Sequence, residues 1–308
     1  MRHTSNSLNN AIILITVLFM ITAMFLPDLH STIAPWILLI SVFVIGIPHG
    51  AIDHIMAAEL FGLKQKVSDH LIFYSSYLLI MFFVALLWFF LPIAGMALFL
   101  IISIYHFGQA DMEDFMIPNP GNWIWHIGRG LLIIGLIIFV NPEVTYPIMA
   151  DAMQINEVTF ANWLPDPVIT SGLLVIGYFL LSLIGYFQSR FHNIGAYVYD
   201  SLILSGLLII TGPLIGFAVY FALWHSAGHI NEMKSYFSGK GKTLTTLGFY
   251  KKALPFTLIS ILGLILLVAL NSFLNLQNQF LTLMFILISV LTLPHMFIVD
   301  KMYTENKG

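Results

Sequence analysis

The sequence predicts an all-α fold, a polytopic membrane bundle of about ten spanning helices in a single domain over residues 1–308. Three observations predict it. Hydrophobic residues fill 59% of the 308 positions and charged residues only 9%, where soluble domains carry about 25% charged residues. The apolar residues are gathered into runs close to the ~20 residues that a helix needs to cross a bilayer. When the connections are assigned alternately to the two sides, all 12 Lys and Arg fall on one of them, the asymmetry expected when positive loops stay inside.

The runs are, in order, 9–27, 33–60, 70–91, 92–110, 124–141, 167–188, 194–212, 213–237, 252–274 and 278–302. The first is followed by PDLHST, with no small-x-small cleavage site, so it reads as a retained span. Were that short run interfacial, the count would be nine. The third and fourth runs meet at Pro92 and the seventh and eighth at Pro213. The longest polar connection, Glu143 to Asp166, has room for a short surface helix. With ten spans, Arg2, Lys64, Lys66, Arg129, Arg190, Lys234, Lys240, Lys242, Lys251, Lys252, Lys301 and Lys307 share one side. Asp28, Glu143, Asp151, Glu157 and Asp166 occupy the other. Both termini are then cytoplasmic, and the expected location is the cell (inner, cytoplasmic) membrane. A net charge of -3 carries no nucleic-acid footprint. The absence of cysteine excludes disulfides and thiolate-held metals.

The stretch GIPHGAIDH (46–54) places two imidazoles, a carboxylate and a helix-breaking proline inside an apolar run, where each is costly and marks function. Six histidines lie within runs: His49, His54, His106, His225, His229 and His295. Measured along each run at about 1.5 Å per residue, His49, His106, His225, His229 and His295 lie at roughly 24, 21, 18, 24 and 25 Å. Four helices thus bring imidazoles to one level, in the cytoplasmic half. His225 and His229, four apart, share a helix face as a chelating pair requires. His49 shares a face with Asp53, whereas His54 diverges by about 140° on a regular helix. The spacing therefore selects His49, His106, His225 and His229 as metal ligands. Asp53, His54 and His295 become candidates to orient a ring, although His54 and His295 equally suit a helix–helix hydrogen bond. Pro48 and Pro294 loosen the backbone, as is tolerated beside a cavity.

His3, His30, His70, His126 and His192 fall at ends or in loops and are expected at the interface. Phe107, Phe217, Phe221 and Trp224 lie near the histidine level, either as lining of a substrate tunnel or as core. Asp200 is a buried acid whose partner the sequence does not name. Iron(II), copper and zinc all suit imidazole. A zinc-dependent intramembrane hydrolase of lipid amides is one reading, but no Glu follows His225 in His-Ser-Ala-Gly-His. A transporter with a histidine relay is another; it requires polar residues through the full depth, whereas here they crowd one layer. HxxHH pairs of the di-iron kind are absent.

The segments PHGAIDH (48–54), YHFGQAD (105–111), WHSAGH (224–229) and LPHMFIVD (293–300) resemble, in order, those of the Brp/Blh-type β-carotene 15,15′-dioxygenases. The resemblance runs from the second span to the end. It implies iron(II) as cofactor, held by His49, His106, His225 and His229, and β-carotene and O2 as substrates. The product would be two retinals, made in the lipid bilayer and passed on to a rhodopsin. The residue before the last ligand, often arginine in that family, is Gly228 here.

Overall fold

The computed structural model describes residues 6–63, 66–274 and 280–305; Arg2, His3, Lys64 and Lys307, used above, lie outside them. Among the described residues there is no β-strand, only an isolated bridge between Met116 and Phe191. The helices are α1 (Asn6–Phe25), α2 (Pro27–Ser41), α3 (Ile47–Gly50), α4 (Asp53–Leu60), α5 (Val67–Phe90) and α6 (Pro92–Met112). They continue as α7 (Trp123–Phe139), α8 (Pro142–Ala152), α9 (Glu157–Trp163), α10 (Pro167–Phe187), α11 (Ile194–Val219), α12 (Ala227–Gly239), α13 (Thr246–Leu274) and α14 (Phe280–Glu305). The polar connection after α7 holds two short helices, α8 and α9, where one was expected. Several starts follow local chemistry. Asp166 accepts from the Ile169 N–H at 2.9 Å ahead of α10, and Asn193 from the Ala196 N–H at 3.0 Å ahead of α11, so each side chain satisfies an orphan donor of the first turn. Prolines open α2, α6, α8 and α10, where the missing N–H costs nothing.

Nine continuous helical runs among the described residues are long and apolar enough to cross a membrane, which makes this a multi-pass membrane protein. One of them, Ile194–Gly239, is 46 residues long, roughly 69 Å at helical rise, and is two spans rather than one. Gly212 has φ 70° and ψ -179°, a conformation only glycine adopts readily. A Cβ on Gly216 would stand 3.4 Å from the Cα of Leu208, whereas in a straight helix eight residues separate Cα atoms by about 12 Å. The chain therefore reverses between them. His30 caps the break: its Nε2 lies 2.9 Å from the Thr211 carbonyl. The ten runs read from hydropathy are recovered, with the seventh and eighth fused at a glycine hairpin.

The chain divides into two compact units, each assembled from separated stretches. The first comprises the chain up to Gly46, Ser103–Pro147 and Val158–Glu232. Here α11 packs against α1, α2 and α7, and α7 also against α10. The C-terminal part of α6 crosses α7 on two glycines. A Cβ on Gly108 would stand 1.7 Å from the His126 carbonyl oxygen, and one on Gly130 1.7 Å from that of Ile104. Small residues permit this backbone approach. The second unit comprises Ile47–Ile102, Ile148–Glu157 and the chain from Met233. In it α14 packs against α3, α4, α5 and α13, and Trp88 of α5 donates its indole N–H to Ser289 of α14.

Three expectations are corrected. Arg129 is not a loop charge: it lies within α7 and is wholly buried. His30 and His126 are not interfacial; both are buried, at 9% and 5% exposure.

Candidate metal centre

In the first unit the chain changes its winding near the expected ligands. Val42–Gly46 and Tyr220–Ser226 are π-helical, and the two segments pack together. Such wide turns are concentrated at functional sites. Phe221 occupies the place a side chain at position 46 would take: a Cβ on Gly46 would fall 2.3 Å from its ring. Phe217, Phe221, His225 and His229 then form a ladder of near-parallel rings at i, i+4 intervals. Centroid separations along it are 5.2, 6.1 and 6.4 Å and interplanar angles 9°, 11° and 9°. His106 of α6 meets His225 at 5.0 Å and 79°, and Phe107 stands edge-on to His225 at 4.8 Å. His106, His225 and His229 are all buried. His229 Nδ1 lies 3.3 Å from Glu232, three residues on. Trp224 turns to α1, donating to Thr16 at 3.0 Å, while Phe217 is half-buried.

The same unit holds a buried ionic network. Arg129 donates from Nε to Asp111 at 3.0 Å and from the other nitrogens to Asp200 at 2.6 Å, Ser201 at 3.0 Å and the Tyr178 hydroxyl at 3.1 Å. Tyr220 donates to the second oxygen of Asp111 at 3.3 Å. Asp200 thus has its partner. Asp111 follows His106 by five residues and Tyr220 precedes His225 by five, so the network joins the two elements that carry those imidazoles.

In the second unit, α3 and α4 are separated by a turn at Ala51–Ile52. Asp53 opens α4 and is buried. The ring recorded against it is that of His295 in α14, not the His49 whose helix face it shares in the sequence reading; Nδ1 of His295 lies 2.9 and 3.0 Å from its two oxygens. Tyr77 of α5 donates to Asp53 at 2.9 Å. His49 stands edge-on to His295, centroids 4.8 Å apart. His54 points elsewhere, with Nδ1 3.1 Å from the Ala51 carbonyl and its ring 4.5 Å from Phe256.

Imidazoles on one ion, with metal–nitrogen distances near 2.1 Å, place their centroids about 4.5–6.5 Å apart. The pairs His106–His225, His225–His229 and His49–His295, at 5.0, 6.4 and 4.8 Å, satisfy that requirement. Among the described residues no three or more His, Asp or Glu side chains converge as a metal-holding group. All-nitrogen donors in an apolar surrounding suit iron, copper or zinc. The hydrogen-bonded carboxylates on His229 and His295 are the usual second partners of metal-bound imidazoles.

Sequence reasoning missed Glu232, Tyr77, Tyr220 and the Arg129–Asp111 pair. Glu232 was discoverable from its i, i+3 spacing to His229. The others join residues far apart in the chain and leave no local signal.

A family model described as beta-carotene 15,15′-dioxygenase matches residues 40–303, a range that contains His49, His54, His106, His225, His229 and His295. The beta-carotene 15,15′-dioxygenase of uncultured marine bacterium 66A03 is 27% identical over 285 residues, covering 89% of this chain and 95% of that protein. The probable beta-carotene 15,15′-dioxygenase Blh of Halobacterium salinarum is 26% identical over 287 residues, covering 86% and 83%. No solved structure matches the chain. With the family model spanning most of its length, this chain belongs to the β-carotene 15,15′-dioxygenase family.

Proposed function

We propose that the protein cleaves β-carotene at its central double bond into two retinals, using iron(II) and O2, within the cytoplasmic membrane. The observation that carries the reading is the family match over residues 40–303, within which the buried imidazoles of α3, α6, α12 and the π-helical segment before α12 all fall. His49, His106, His225 and His229 are the proposed ligands, selected by their common depth and the family resemblance. Iron(II), when bound, supplies the activation of O2 that a carbon–carbon double bond otherwise resists. The chain's own residues do the rest. Phe107, Phe217 and Phe221 offer ring surfaces to a polyene and exclude water from the imidazole layer. Glu232 holds a ring hydrogen of His229, and Asp53 one of His295.

The substrate is a hydrocarbon already dissolved in lipid, so little hydrophobic driving force accompanies its entry; shape selects it. The histidine level lies about 20 Å from the outer ends of its helices. A symmetric carotenoid centred there fits roughly parallel to the membrane plane, because along the normal its cytoplasmic half would leave the hydrocarbon. Retinal released into the same bilayer is available to a rhodopsin.

Expression in a carotenoid-producing host that makes no retinal tests the reading. Loss of carotenoid colour with appearance of retinal is expected; unchanged carotenoid in cells that contain the folded protein would contradict it.

A further inference from the structure

Resting on the metal reading above, we infer that His295 is itself a metal ligand, placed beside His49 and oriented by Asp53. The geometry within the second unit carries the inference. His295 is buried, at 5% exposure. Its Nδ1 sits 2.9 and 3.0 Å from the two oxygens of Asp53, so Nδ1 carries the hydrogen and, in the neutral ring, Nε2 carries the lone pair. That is the tautomer a carboxylate imposes on a metal-bound imidazole. Asp53 also accepts from Tyr77 at 2.9 Å. An imidazole N–H and a phenol O–H are donors that stabilise a carboxylate anion, and a divalent ion bound on the far side of the imidazole would strengthen the N–H that the ring offers. The neighbour is right as well: the ring of His49 lies edge-on to His295 at 4.8 Å, within the range for two rings on one ion.

The rival account is a structural ion pair between Asp53 and a charged His295, and two substitutions separate them. His295→Asn places an amide N–H near the position of Nδ1, preserving the bond to Asp53 while removing the Nε2 donor. His295→Gln places an amide group near Nε2 and gives up the Nδ1 position. Purified wild type and both variants are titrated anaerobically with iron(II), and separately with cobalt(II), recording metal per protein and the visible bands of bound cobalt. Thermal unfolding without metal is measured in parallel. The expected result is that His295→Asn unfolds like wild type yet binds either ion at least 10-fold more weakly, with altered cobalt bands that added imidazole shifts back. His295→Gln should retain more metal than His295→Asn. Wild-type affinity and cobalt bands in His295→Asn would overturn the inference while leaving the other ligands standing. If His295→Asn fails to fold, unaltered cobalt bands in His295→Gln overturn it in the same way. Wild-type protein that takes up neither ion would overturn the metal reading and this inference with it.

Discussion

The two units bury charge in different ways. In the first, Asp111 and Asp200 meet Arg129, a cation supplied by the fold, at 3.0 and 2.6 Å. In the second, Asp53 meets the imidazole of His295 and the hydroxyl of Tyr77, and His295 is the ring proposed above to carry a metal ion on its other nitrogen. The first network is therefore a structural element: α7 reaches Asp111 on α6 and Asp200 on α11 and fixes their register. The second holds an imidazole in one orientation, with Nδ1 turned to the carboxylate. A buried polar cluster is read correctly only when its charges are counted along with its hydrogen bonds.

The comparison can be broken most severely at the imidazoles themselves. Replacing His49, His106, His225 or His229 by Ala should each abolish iron retention and retinal formation, while His70→Ala and His192→Ala retain both. Metal analysis of the purified variants checks this, and full iron content in any of the first four would remove that residue from the ligand set. Next is Arg129→Ala. It strands two carboxylates and should destabilise the fold by about 3–5 kcal/mol, equally with and without metal. Arg129→Lys should rescue only in part, since a point charge cannot divide itself among Asp111, Asp200 and Ser201 as the planar fork does. Unfolding in detergent measures both, and an Arg129→Ala protein as stable as wild type would dissolve the contrast between the units.

Asp53→Asn is the complementary test. It should weaken iron binding about 10–100-fold while the metal-free protein unfolds nearly as wild type does; unaltered affinity would mean that the carboxylate serves packing alone. The smallest effect is expected at Gly46. Gly46→Ala must move the Phe221 ring, which is stacked above His225, with loss of ring interactions on the order of 0.5–1.5 kcal/mol. It should raise the KM for β-carotene and admit some off-centre cleavage, at nearly unchanged iron content. Chromatography of the products reads this directly.

The spans were legible in the sequence because hydropathy is a local property, and even the fused seventh and eighth spans declared themselves through Pro213. The pairing of His225 with His229 was legible from spacing alone. Arg129 was misread because a cation near a span's end looks like a loop residue. Its burial depends on Asp111, 18 positions before it, and Asp200, 71 after it. The role of Asp53 was half legible: the helix face toward a ring was visible, but the ring it holds lies 242 residues away. His30 looked interfacial for a similar reason, since the carbonyl that it caps, Thr211, is exposed for bonding only by the chain reversal at Gly212.

The central claim is metal-dependent symmetric cleavage, and one measurement addresses it most directly. Purified protein in lipid nanodiscs is given a known amount of β-carotene with iron(II) and O2, and all carotenoid products are quantified. The account predicts two molecules of retinal for each β-carotene consumed, with turnover lost on chelation and restored by iron(II). Unequal apocarotenal pairs, or undiminished turnover in the chelated protein, would contradict it.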